Sequence, residues 1–210
     1  MKKTYHRSHA GARLSLTSLA LTSLASTSLA LTVLLGAAQA ATPIVVSAYS
    51  STAAAHCWIM GPGRVEDSPT RVCRGKATLV VLVNKDEARE TISVGRDRDD
   101  AEKQPAAQTS FGPFKQALPG IEWRIAGGNP FAIIQRWRMI DVPDAKPLLV
   151  VSRLPPGAVC PVAYVDAAAN PDADDLARKA ADETARGFTC GKDQVRIIGT
   201  AGRAAELARH

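Results

Sequence analysis

The chain has 210 residues, 46% of them hydrophobic and 22% charged, and its 26 basic against 20 acidic side chains give +6 at pH 7. Residues 1–40 hold four basic side chains and no acidic ones, so the other 170 residues carry 22 against 20, a net of only +2. That removes the main motivation for a nucleic-acid or anionic membrane-surface role, each of which requires clustered basic charge, and no nucleic-acid partner is expected, while 170 residues suit one domain with a real core.

Residues 1–40 read as an export signal. Lys2, Lys3, Arg7 and Arg13 form a positive start, LTSLA-type repeats lead into an apolar run from Leu29 to Leu35, and Ala38-Gln39-Ala40 fits small-x-small cleavage. The apolar run is too short to span a bilayer. Cleavage after Ala40 predicts a periplasmic or secreted product with no stable membrane anchor. Residues 41–56 then read as a flexible tether of small side chains, with Ile44-Val45-Val46 as a short strand inside it.

Four cysteines follow: Cys57, Cys73, Cys160 and Cys190. An even count in an exported chain points to two disulfides, for which three pairings exist. The local pairing, Cys57 with Cys73 and Cys160 with Cys190, closes a Gly/Pro-rich loop and ties a strand to the end of a helix. Each bridge contributes about 3 to 4 kcal/mol by loop entropy. With no C-x-x-C, neither a zinc site nor a redox pair is expected.

Residues 77–83 and 88–95 predict a hairpin with a polar turn at 84–87. The stretch 96–120 is zwitterionic, lacks large apolar side chains until Phe111, Phe114 and Leu118, and predicts a mobile loop. From 121 to 164 the pattern is that of an antiparallel meander turning at Gly127-Gly128-Asn129-Pro130. Its first hairpin places Trp123 and Trp137 on a core face. Arg124, Arg136 and Arg138 are expected on the solvent face beside Glu122, as a candidate anion-binding row. Residues 148–154 are apolar on both faces, which suits a central strand, and 159–165 give the next one.

The clearest helix is 170–186. Asn170 is its expected N-cap, Pro171 its first residue and Gly187 its terminator. Leu176, Ala177, Ala180, Ala181 and Thr184 form the expected inner face, and Asp174/Arg178, Asp175/Lys179 and Asp182/Arg186 are spaced for pairing along the helix. Residues 194–199 read as a last strand and 201–210 as a frayed tail, leaving one domain over 57–200.

No motif for catalysis or a cofactor is present. Beyond the signal the only histidines are His56 and His210, and no nucleophile elbow, zinc-protease, P-loop or dinucleotide fingerprint occurs. Asp172, Asp174 and Glu183 echo calcium-loop spacing, but Leu176 and Ala177 stand where a ligand and the turn glycine belong. The remaining catalytic candidates are carboxylates, Glu122, Asp141 and Asp166, which lie on or beside the meander.

The segments FGPF (111–114), EWR (122–124), PFAIIQRW (130–137) and CPVAYVDAAANPDADDLARKAADETARGFTCGKD (160–193) are similar to a family of small exported alphaproteobacterial proteins of uncharacterised function. The similarity covers most of the chain after the signal. It implies one secreted domain whose second cysteine pair frames the helix, and no activity, cofactor or site residue.

The expected fold is therefore α+β, an antiparallel meander with one main packed helix near the C-terminus, stapled by disulfides. The expected function is non-catalytic binding of an envelope component or protein partner. A carboxylate-pair envelope hydrolase and a small-ligand binder in the sheet–helix seam are the alternatives.

Overall fold

The computed structural model describes residues 43–60, 62–63, 69–86, 89–112, 115–140 and 146–209, all within one compact unit spanning 41–210. The expected signal, residues 1–40, and Asp141 lie outside the described residues.

The fold is a sheet-dominated α+β arrangement with two disulfides. The expected meander is present as β6 (Lys115–Ala126), β7 (Asn129–Met139), β8 (Leu148–Arg153) and β9 (Pro161–Asp166), each antiparallel to the next. Gly127 and Gly128, at φ of 55° and 82°, supply the two left-handed residues that a tight hairpin between β6 and β7 needs. The meander is only the middle of a larger, mixed sheet of ten strands, which corrects the expectation of a purely antiparallel one. On one side β10 (Arg196–Ile197) runs parallel to β9. On the other, β2 (Cys57–Trp58), β3 (Thr70–Arg74), β4 (Val80–Asp86) and β5 (Arg89–Gly95) are antiparallel in sequence order. β4 and β5 are the predicted hairpin, although residues 84–86, expected in its turn, continue the strand.

β6 starts six residues earlier than its alternation suggested, and it forks the sheet. Its first residue, Lys115, bridges in parallel to Arg89 of β5, while Gly120–Ala126 pairs with β1 (Val45–Ser51) on the same edge. A register shift between Ala117 and Ile121, at Leu118-Pro119-Gly120, separates the two halves. β1 overturns the tether expectation. Ordinary alternation and seven paired residues make 45–51 a strand, and Val45 packs on the core with only small neighbours around it.

The sheet has a core on each face. On the first, Val81, Val83, Ile92 and Val94 of β4 and β5 meet Ile121, Trp123, Ile133, Trp137, Leu148, Val150 and Tyr164 of the meander. On the second, Ala132, Ile134, Leu149, Val151 and Val165 lie under α3 (Ala173–Thr184). β8 is therefore covered on both faces, as its doubly apolar pattern predicts. Ala173, Ala177, Ala180 and Ala181 form the buried stripe of α3, and their small side chains allow close approach. Leu176 is half-buried.

The caps differ from expectation. α3 begins after Asp172, and Asn170 instead donates from Nδ2 to the Asp166 and Thr200 carbonyls and accepts from Thr200 N at 2.8 Å. It ties the turn after β9 to the last segment rather than capping the helix. The helix ends at Thr184, and Gly187 has neither positive φ nor a neighbour within 4 Å of an added Cβ, so it is no obligate terminator. The tail is not frayed either. α4 (Arg203–Leu207) buries Ala204, Ala205 and Ala208, and the carboxylate of Asp166 caps it by accepting from the backbone N–H of Ala204 and Ala205.

Residues 96–120, expected to be mobile, hold α1 (Arg98–Glu102), α2 (Pro105–Gln108) and the start of β6. Their charges build caps. Asp97 accepts from Asp100 N at 2.8 Å, and Asp100 accepts from Arg96 N at 2.9 Å, a reciprocal cap. That backbone bond, with the Arg96 guanidinium, holds the Asp100 carboxyl below its usual range despite partial burial. Alanines replace the missing large apolar anchors: Ala101 and Ala106 are buried, and Gln104 reaches Val159 N at 2.9 Å. The close fit is testable at Gly95, where a Cβ would sit 2.3 Å from Ala101 N and 2.7 Å from its Cα. Both are backbone atoms that cannot rotate away. Gly95→Ala should lower stability by about 1 to 3 kcal/mol, read as a fall in the urea midpoint with an unchanged slope.

Candidate functional site

The expected disulfides are both present, Cys57–Cys73 and Cys160–Cys190, and no cysteine is free. Cys57 and Cys73 are direct cross-strand partners in β2 and β3, and Cys160–Cys190 joins the start of β9 to the segment after α3. His56 is exposed in a short turn beside Cys57.

The arginine row is not an open binding face. Arg124, Arg136 and Arg138 do share one face of the hairpin, but α3 covers it. Arg124 is 8% exposed and makes a two-pronged ion pair with Asp182 of α3, Nε at 2.9 Å and Nη2 at 2.6 Å, while Nη1 donates to Ser47. Arg136 pairs with Asp174 at 2.6 Å, and only Arg138 is exposed. Two of the aspartates expected to pair along the helix, Asp174 and Asp182, thus reach down to the sheet, while Asp175 stays on the helix and pairs with Arg178 at 3.0 Å. Glu122 makes the reverse connection. It is 1% exposed, accepts from Arg178 Nε at 2.7 Å and from Ser47 Oγ at 2.6 Å, and its hydrogen bonds push the Arg178 guanidinium further up.

These contacts also separate two of the candidate carboxylates, Glu122 and Asp166. Glu122 faces α3, whereas Asp166 faces α4 on the opposite side of the sheet. Following the pairing from Glu122 through Ile134 and Val151 to Ala163 crosses three strands, and Asp166 lies three residues further on. At strand spacings near 4.8 Å and about 3.3 Å per residue, the two are roughly 17 Å apart. Both carboxylates are already used by structure, and the two cannot act on one bond.

The chemically distinctive place is a cleft that the alternation pattern did not reveal. It lies on the first face of the sheet, where β5 meets the start of β6, and Glu90, Ser110, Phe111, Lys115, Gln135 and Trp137 line it. Thr109 and Ser110 are exposed at its rim, yet Lys115 is only 1% exposed. The extended β6 causes this. Lys115 shares the inward parity of Ala117, and its ammonium lies 4.3 Å above the Phe111 ring and 5.5 Å from that of Trp137. Phe111 packs edge-on to Trp137 at 5.3 Å and tilted to Tyr164 at 5.4 Å, so the wall is rigid. Burial pushes the Tyr164 phenol up to about 12, leaving it neutral.

The amine has one polar contact, Ser110 Oγ at 2.5 Å, and no carboxylate in ion-pair contact among the described residues. The nearby Glu90 carboxylate, 4% exposed, is held instead by Ala117 N at 2.7 Å. Burial, reinforced by the Arg89 charge and opposed by that of Glu90, pushes the Lys115 amine down to about 8. Gln135 supplies a second unmet group. Its Nε2 donates to the Leu118 and Arg136 carbonyls at 2.6 and 2.9 Å, which orients the amide, and its buried Oε1 has no partner. The cleft has a volume of about 20 Å³, enough for one water or a small ion. One signal for Lys115 was present in the sequence: a lysine flanked by Phe111 and Phe114 in an otherwise polar stretch.

No family model, curated protein or solved structure matches this chain. The functional reading therefore rests on the geometry. No described helix is long and apolar enough to cross a membrane.

Proposed function

We propose that this is an exported, non-catalytic binding protein that holds a small anion, or the anionic head of a larger ligand, against Lys115. The observation that carries this reading is an ammonium group 1% exposed with no counter-ion in contact among the described residues. Buried charges in folded proteins are normally paired, because desolvation costs several kcal/mol that only a partner offsets. With its pKa near 8, the amine is still about nine-tenths protonated at pH 7. An anion entering past Thr109 and Ser110 would meet that charge in low dielectric, and an N–H or O–H on it could donate to Gln135 Oε1. Two disulfides and the signal-like residues 1–40 support a periplasmic or secreted setting. The opposing demands on Glu122 and Asp166 favour binding over hydrolysis.

A titration of the isotope-labelled 41–210 protein with formate and acetate, followed by amide and lysine side-chain resonances, tests the reading. Saturable shifts are expected at residues 109–111, 115 and 135. The sign of the pH dependence follows from the depressed pKa: binding needs the protonated amine, so affinity holds below pH 8 and falls about tenfold per unit above it. Shifts that do not saturate, or an affinity indifferent to pH 6.5 against 9.5, would count against the proposal.

A second reading, docking of a macromolecular envelope partner, draws on a different observation. Ile44, Val46 and Met60 are 83%, 51% and 73% exposed, with Tyr49 and Trp58 nearby in the chain. Val46 and Tyr49 lie in β1 and Ile44 directly precedes it, and among the described residues β1 pairs with β6 alone.

A further inference from the structure

A second cleft lies in the seam between the sheet and the end of α3. It has a volume of about 270 Å³, and Phe131, Arg153, Leu154, Pro155, Pro156 and Arg186 form most of its wall. Two guanidinium groups are the only charged side chains lining it, and neither has an ion-pair partner among the described residues. The rest of the wall is largely apolar.

Both arginines are pre-positioned. Arg186 sits over Phe131, its Cζ 3.7 Å from the ring centroid, a cation–π contact that leaves N–H donors for a ligand. Arg153 is anchored by Nη1 to the Phe188 carbonyl and by Nη2 to the Pro156 carbonyl at 2.6 Å, and its Nε is buried without a partner. Arg153 is thus held in place, Arg186 is stacked but exposed, and neither charge is ion-paired among the described residues, an arrangement suited to a planar carboxylate. An inorganic anion would leave the Pro155, Pro156 and Leu154 wall unused, and a neutral apolar molecule would leave the guanidinium groups unused.

We propose that this cleft binds a small organic monocarboxylate, its carboxylate on Arg186 and its hydrocarbon or aromatic body against Leu154, Pro155 and Pro156. The volume is just below that of drug-sized sites and suits a fragment. The site shares no lining residue with the one at Lys115.

The test uses benzoate and hexanoate as probes, with benzyl alcohol and acetate as controls for the charge and for the body. Amide shifts are recorded on the 41–210 protein and on its Lys115→Met variant, so that any binding at Lys115 is separated. Benzoate and hexanoate should shift residues 126–131, 153–157 and 186 saturably in both proteins, each control should bind at least about tenfold more weakly, and Arg186→Gln should lose about tenfold in affinity. Arg186 is exposed, so this variant should retain its fold. No saturable shift around the cleft, equal binding of benzyl alcohol or acetate, or unchanged affinity in folded Arg186→Gln would each overturn the proposal.

Discussion

Lys115→Met should make the free protein more stable at pH 7 while abolishing anion binding in the Lys115 cleft. In the unfolded chain the amine titrates near its ordinary 10.5, in the folded protein near 8. The depression means that the folded state binds the proton less tightly, so stability rises with pH between those values and is lowest below pH 8. A shift of that size corresponds to about 3 kcal/mol, and methionine retains most of the volume without the charge. Loss of the Ser110 hydrogen bond and of the contact with Phe111 offsets part of it, which leaves an expected gain of about 1 to 3 kcal/mol at pH 7. Urea unfolding of both proteins at pH 7 and pH 10.5 checks this, since the difference should shrink at the higher pH. A variant less stable at both values would show that the amine is a structural contact and not a charge awaiting a ligand.

Glu122→Ala should be the most damaging polar substitution, at about 3 kcal/mol. It removes a carboxylate that is 1% exposed and leaves Arg178 with only the exposed Asp175 and Ser47 with only Arg124, which is already committed to Asp182. Breaking one side of a buried pair typically costs 3 to 5 kcal/mol, and the low end applies because Arg178 is a third exposed and can reach water. Glu122→Gln keeps the shape and should cost less. The same residue would be a catalytic base under the hydrolase reading, and the two roles separate by measurement: a structural Glu122 moves the urea midpoint, whereas a catalytic one would leave it in place.

Elements with strong local pattern were legible in the sequence. The β4–β5 hairpin, the Gly127-Gly128 turn, doubly buried β8 and the body of α3 all follow from periodicity and turn chemistry within a dozen residues. The errors occur where a residue's role depends on a distant partner. Residues 45–51 look like a small-residue tether until β6 supplies an edge, and 96–112 looks too polar to order until Ala101 and Ala106 are seen to need little space beneath α1 and α2. Asn170 has the right identity for a cap, but the Thr200 backbone competes for it and wins.

The candidate site was hidden for the same reason. Alternation from Ile121 onward marks a strand beginning there, and the register shift at Leu118-Pro119-Gly120 conceals that β6 continues back to Lys115 with its side chain inward. A lysine in a polar stretch is ordinarily solvated, and the nearby Phe111 and Phe114 are the one local sign that this one is not.

The amino-acid sequence by itself determined the local elements, the near-neutral charge beyond residue 40 and the proximity in sequence that favoured the two observed cysteine pairings, because hydrophobic period, turn residues and short loops act between near neighbours. Tertiary structure alone decided which charges are spent and which are free. It buried Arg124 and Glu122 beneath α3, turned Asp166 into the cap of α4 and left Lys115 with no counter-ion in contact among the described residues, because the electrostatic state of each depends on groups brought beside it only when the sheet and helices pack.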